Sequence, residues 1–239
     1  MYNLYCKGGK INFKPYKRPP PQLSELLRFN GDACTKSFLR QIRSYNSFFA
    51  LTSLGAAIDK TINNGTAPYV FKINGVVHHR IGTLLPRRGT RPKFAQLYIY
   101  DTEHEAENKA GLFDSDDNGS AQPEPDIVNS LLNMLNEHNQ LVKAFRYARE
   151  RLQQEGDKKI TLRLLGCNAR DDVRYNLPTS GEIAAIIVGD YSADEYTYDV
   201  LVHDKEHGMR RVSSLHPSYK ALQYPLLFPY GETRVPSRY

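Results

Sequence analysis

Apolar residues recur along this chain at two different periods, and the switch between them predicts its elements. From residue 36 to about residue 54, Phe38, Leu39, Ile42, Tyr45 and Phe49 fall at helical spacing, with Thr35 placed to cap the start and Gly55 to end it. The longest helical stripe covers 126–154, where Ile127, Leu131, Met134, Leu135, His138, Leu141, Val142, Phe145, Ala148 and Leu152 share one face. Asp126 is expected to cap it and Gly156 to terminate it, giving one long amphipathic helix.

Elsewhere the period drops to two. Residues 69–73 and 76–81 flank Asn74-Gly75, which predicts a two-residue β-hairpin with Tyr69, Phe71 and Ile73 on one face. A third strand is expected over 95–100, and others over 160–165, 183–188, 198–202 and 209–213, the last pair joined by an HDKEHG turn. Strands flank a long helix instead of alternating with helices, so the predicted class is α+β. Its mainly antiparallel sheet packs with that helix and a shorter N-terminal one.

Punctuation divides the chain further. Residues 1–22 form a basic, proline-rich N-terminal segment, because successive prolines fix φ and remove donors. Residues 23–232 read as a single α+β domain, interrupted by an acidic loop at 114–124 whose near lack of apolar residues predicts mobility. A C-terminal tail occupies 233–239.

Composition adds limits. At 239 residues, with 40% hydrophobic and 24% charged positions, the chain can bury a sizeable core. No apolar run is long enough to predict a transmembrane helix and the N-terminus lacks a signal-peptide core, so no membrane partner and an intracellular location are expected. Net charge is +6, with cations concentrated near the N-terminus and at Arg87, Arg88, Arg91 and Lys93. That charge is compatible with a polyanionic partner without requiring one, and the separation from the acids of 101–117 makes a dipolar surface.

Catalytic chemistry is hard to find. Cys6, Cys34 and Cys167 supply neither a disulfide framework nor a zinc set. His78 and His79 are adjacent, so in a strand they face opposite ways, one ring packed and one solvated. His203 and His207 have helical ligand spacing but fall in a predicted turn, and neither a phosphate-cradling GxxxxGK[ST] run nor a GxSxG elbow occurs. No catalytic residue, cofactor or metal is expected.

Two segments remain as candidate sites. Arg87, Arg88, Arg91 and Lys93 lie on a Gly/Pro-shaped loop suited to phosphate contact, and Phe94, with Tyr98 and Tyr100, could stack on single-stranded bases. The plain alternative is a solubilising loop followed by an ordinary strand. A second cationic set, Lys143, Arg146, Arg149 and Arg151, reads as the solvated face of the long helix. Near the C-terminus, Tyr224-Pro225 and Phe228-Pro229 favour extended geometry, so Tyr224, Leu226, Leu227 and Phe228 form an apolar strap with Leu226, Leu227 and Phe228 as its buried part. It ties the last hairpin to the core or to a further domain.

The strap HPSYKALQYPLLFPYGE (216–232) resembles the segment just upstream of the nicking domain in Helitron-type rolling-circle transposases. RSYNSFFALTSLGA, APYVFKINGVVHHRIGTLLP, PKFAQLYIYD, DIVNSLLNMLNEHNQLVKAFRYARE and YNLPTSGEIAAIIVGD resemble the same family in the same order. Departures are Tyr198-Asp199, where the family carries Arg-Asp, and the final TRVPSRY, so the chain reads as a fragment or a degenerate copy. YCKGGKI resembles the end of the family's zinc-binding region, which would make Cys6 one surviving ligand.

The resemblance implies a nuclear, non-catalytic N-terminal region of a replicase-helicase. Its role would be to bind or position DNA for nuclease and helicase domains absent from this sequence. Two other roles remain open: an interaction module that docks the nuclease domain without DNA affinity, and a fragment carrying its parent's helicase and transposase label.

Overall fold

In the computed structural model, residues 17–59, 72–100, 123–155, 159–165, 184–188, 200–203, 210–214 and 216–232 are described. Cys6, Cys167, the turn at 204–209, the tail at 233–239 and nearly all of the acidic loop lie outside them. The elements in chain order are α1 (Pro21–Leu26), α2 (Ala33–Phe49), β1 (Ser53–Asp59), β2 (Lys72–Ile81), a 3-10 helix (Phe94–Tyr98), α3 (Pro125–His138), α4 (Gln140–Glu155), β3 (Ile160–Leu164), β4 (Ala184–Val188), β5 (Val200–His203), β6 (Arg210–Val212) and α5 (Tyr219–Gln223). Helices pack with two small antiparallel sheets, ordered β1-β2-β6 and β4-β3-β5, so the class is α+β.

The apolar stripes read from the sequence do face inward. Phe38, Tyr45 and Phe49 of α2 are buried with Leu131, Met134 and Leu135 of α3, Leu141, Val142 and Phe145 of α4, and Ile160, Leu162 and Leu164 of β3. Helix α2 begins earlier than the stripe suggested. Asp32 is its cap, accepting from the Thr35 amide (2.9 Å), and those bonds hold the carboxyl below its ordinary range. The helix ends at Phe49, well before Gly55, because Ser53–Asp59 is taken into a strand.

That strand displaces the predicted Asn-Gly hairpin. Asn74 is paired with Ala57, and β2 runs unbroken through Gly75 to Ile81. Gly55 faces His78 and Ala57 faces Asn74, so three β2 residues oppose Ala56 of β1 and Gly75 lies in a bulge. The last two strands form no hairpin either, since β5 pairs with β3 and β6 with β2 in the other sheet.

The long helix is two helices. Asn139 breaks it with an extended backbone (φ −83°, ψ 116°). Its fully buried side chain replaces what the break removes: Oδ1 accepts from the Leu141 and Val142 amides at 3.0 and 3.1 Å, capping α4. Helix α3 itself begins at Pro125, behind Glu124 as its cap residue, and Tyr45 Oη accepts from the Glu124 amide (2.9 Å).

Candidate nucleic-acid interface

Strand β2 delivers the chain directly into the basic loop, and a single carboxamide closes that loop. Gln96 Nε2 donates to Thr83 Oγ1 and to the Leu85 carbonyl, both at 3.2 Å, while its Oε1 accepts from the Lys93 amide at 3.1 Å. Both ends of the 86–92 stretch are thereby tied to one side chain. At its tip, the Thr90 amide and hydroxyl both donate to the Arg87 carbonyl, with Gly89 at φ +79° in the position a type II turn reserves for glycine. Arg87, Arg88, Arg91 and Lys93 are all exposed, and Pro92 is buried beneath them.

Behind the loop is a 3-10 turn where a strand was predicted. Leu97, Tyr98 and Ile99 are buried in succession, which an alternating two-faced strand cannot achieve. The turn starts at Phe94, whose φ of +53° is, among the described residues, the one positive value outside glycine. Tyr98 is fully buried, with Oη donating to the Phe49 carbonyl (2.9 Å), so it is unavailable for stacking on bases. Phe94 is half-buried, whereas Tyr100 is 58% exposed.

Arg146 does not belong to a solvated cationic face. It donates from Nη1 to the Tyr98 carbonyl (2.8 Å), reaches Asn136 Oδ1 through Nε and Nη2 (3.1 Å each), and lies over the Tyr98 ring at 5.4 Å. It fastens the base of the loop to α3 and α4. Arg151 pairs with Glu155 one turn along, and Lys143 alone of these three is exposed. The helical spacing was correct for α4, but it could not reveal a neighbouring carbonyl from residue 98.

The C-terminal strap is partly helical, through α5, and runs over the other elements. The Leu51 amide donates to the Leu222 carbonyl, Asn46 Nδ2 to the Gln223 carbonyl, and the Gln140 amide to the Tyr230 carbonyl. Leu226 is buried, as expected, but Phe228 is only half-buried, Leu227 is 70% exposed and Tyr224 42% exposed. The correction for Leu227 follows from the turn: its amide donates to the Tyr224 carbonyl, and the curl sends its side chain outward.

The described histidines serve as packing and hydrogen-bonding groups, while His104 and His207 lie outside the described residues. His79 is buried, 3.1 Å from the Tyr219 carbonyl through Nδ1, and its ring stacks on that of Tyr219 at 3.9 Å. His78 is half-buried on the opposite face and accepts from Arg80 Nε. His216 receives the Ser218 amide on Nδ1, which leaves Nε2 to donate to the Leu164 carbonyl (3.2 Å). Among the described residues no cluster of His, Cys, Asp and Glu could hold a metal ion, and no helix is long and apolar enough to cross a membrane. Residues that sequence reasoning passed over are Gln96, which carried no motif, and Asn139, which lay hidden inside a continuous stripe. No protein-family model matches the chain, and no curated protein matches it.

Proposed function

We propose that this chain binds DNA through the phosphate backbone, without doing chemistry on it, as the N-terminal region of a Helitron-like replicase-helicase. Arg87, Arg88, Arg91 and Lys93 make the contacts, and the nuclear location implied by the family resemblance goes with that role. One observation carries the reading: the cations are exposed to solvent on a loop whose ends are fastened by Gln96 and whose base is anchored through buried Tyr98. Fixing the loop in advance reduces the ordering entropy that binding must overcome. Arginine forks then match phosphate oxygens, while Gly89 allows close backbone approach.

A second reading is favoured by a different observation. Tyr224 and Leu227 stand exposed together on the strap, as a contact for the nuclease domain would require. Binding of the purified chain to labelled single- and double-stranded DNA 20-mers over a salt series separates the two. The DNA reading expects affinity that falls steeply with salt. Charge reversal at Arg87, Arg88, Arg91 and Lys93 should then reduce the log–log slope by about 3. Absence of binding by the unaltered chain at low salt favours the docking role.

A further inference from the structure

Strands β2 and β6 set two arginines directly against one another. Their antiparallel register pairs His79 with Val212, Arg80 with Arg211 and Ile81 with Arg210. His79, Val212 and Ile81 are buried, so Arg80 and Arg211 share the outer face, where both are exposed. Directly opposed residues have Cβ atoms roughly 5 Å apart, and like charges in that relation destabilise a sheet. Among the described residues neither guanidinium forms an ion pair with a carboxylate. Arg210, paired with Ile81 at the strand end, alternates to the other face and stands apart from this pair.

We infer that this pair is a second contact for a nucleic-acid phosphodiester backbone. The opposed arginines present two forks side by side, and a phosphate between them would convert their repulsion into two charge-assisted interactions. Arg80 is held at both its side chain and its backbone. Arg80 Nε is held by His78 Nε2 at 2.9 Å, and Ser53, opposite Arg80 on β1, donates its hydroxyl to the Arg80 carbonyl at 3.4 Å. An open sheet face suits an extended polyanion better than a small enclosed anion. The same strand runs on through Gly82 into the loop of Arg87, so one continuous piece of chain carries Arg80 and the loop cations. The choice of ligand depends on the DNA reading above, but the residues are different ones.

The test compares R80Q/R211Q with the loop variant R87Q/R88Q/R91Q/K93Q, using labelled single- and double-stranded DNA 20-mers over a salt series. The strand variant is expected to lower the log–log slope by about 1.5, from the loss of two phosphate contacts. Its thermal midpoint without DNA should hold or rise, because a like-charge pair has been removed. If the double variant folds poorly, R211Q alone breaks no hydrogen bond found among the described residues and should lower the slope by about 0.8. A slope reduced in both variants supports both sites. Reduction in the loop variant alone overturns this inference and leaves the loop reading standing, and reduction in the strand variant alone does the reverse. Failure of the unaltered chain to bind either DNA overturns both.

Discussion

Gly231 lies against Asn139 so closely that a Cβ on the glycine would sit 2.9 Å from the Asn139 amide oxygen. The same oxygen caps α4, and Asn139 Nδ2 donates to the Phe228 carbonyl, 89 residues away, at 3.2 Å. The helix break and the strap therefore specify each other: Asn139 can leave the helix because its side chain and the following amides find partners, some of them supplied by the strap. Burial of Leu226 and Ala221 adds apolar attachment along the same segment.

Gly231→Ala should be costly for two reasons. Its φ of +71° disfavours a side chain, and the added methyl would also meet the Leu141 and Gln140 amides at 3.1 and 3.2 Å. A loss of about 2–3 kcal/mol in urea unfolding is expected. Gly89→Ala provides the comparison, because φ is +79° there but nothing lies within 4 Å, so only backbone strain of about 1 kcal/mol applies. Equal losses at the two glycines would show that the strap contact contributes nothing.

Arg146→Ala should destabilise the fold by about 1–3 kcal/mol, through lost bonds to Asn136 and Tyr98 and lost cover over the Tyr98 ring. Lys143→Ala, on the exposed side of the same helix, should stay within about 0.5 kcal/mol. Chemical denaturation of both variants checks the contrast. A fall in DNA affinity of Arg146→Ala would then follow from loosening of the loop base, with no change in the number of phosphates contacted.

What the sequence made legible was decided by burial period. The stripes of Phe38, Tyr45 and Phe49 and of Leu131, Leu135 and Phe145 identified core faces correctly, because those faces are set by side chains a turn apart. Asn139 was missed because a break of one residue leaves the stripe nearly in phase on both sides. The Asn-Gly pair misled because β1 supplies β2 with a partner drawn from what read as a helix end, and pairing geometry then demands a bulge instead of a turn. The cations of the loop could be read from composition. The fastening by Gln96, and the opposition of Arg80 to Arg211, depend on contacts across the fold that no local pattern encodes.

Gln96→Leu separates fastening from charge. It removes bonds to Lys93, Thr83 and Leu85 but leaves every loop cation in place. Stability should fall by about 1–2 kcal/mol. If the loop binds DNA, affinity should drop several-fold while the salt slope stays as in the unaltered chain, because slope counts phosphates and affinity also registers ordering. A changed slope would mean that the cations act only from the fastened geometry.

His79 predicts how stability depends on pH. Burial depresses its pKa below the ordinary value of 6.5, the nearby His78 acts in the same direction, and the Tyr219 carbonyl opposes both. Burial has the largest effect, so the neutral ring is favoured, with Nδ1–H donating to that carbonyl. Since the folded pKa is the lower one, the unfolded chain binds the extra proton first as pH falls. The contribution of His79 is therefore complete above about pH 6.5 and is lost as pH falls through the folded value. Replacement by phenylalanine keeps a ring against Tyr219 and removes the titrating nitrogen. His79→Phe should lower stability at pH 8, where the bond to Tyr219 is lost, and should flatten the decline of the urea midpoint below pH 6.5. An unchanged acid slope in the variant would assign that decline to another group. Asp32 is the distinguishable alternative, because its lowered carboxyl pKa keeps its contribution complete above about pH 3.8 and loses it only as pH falls below that.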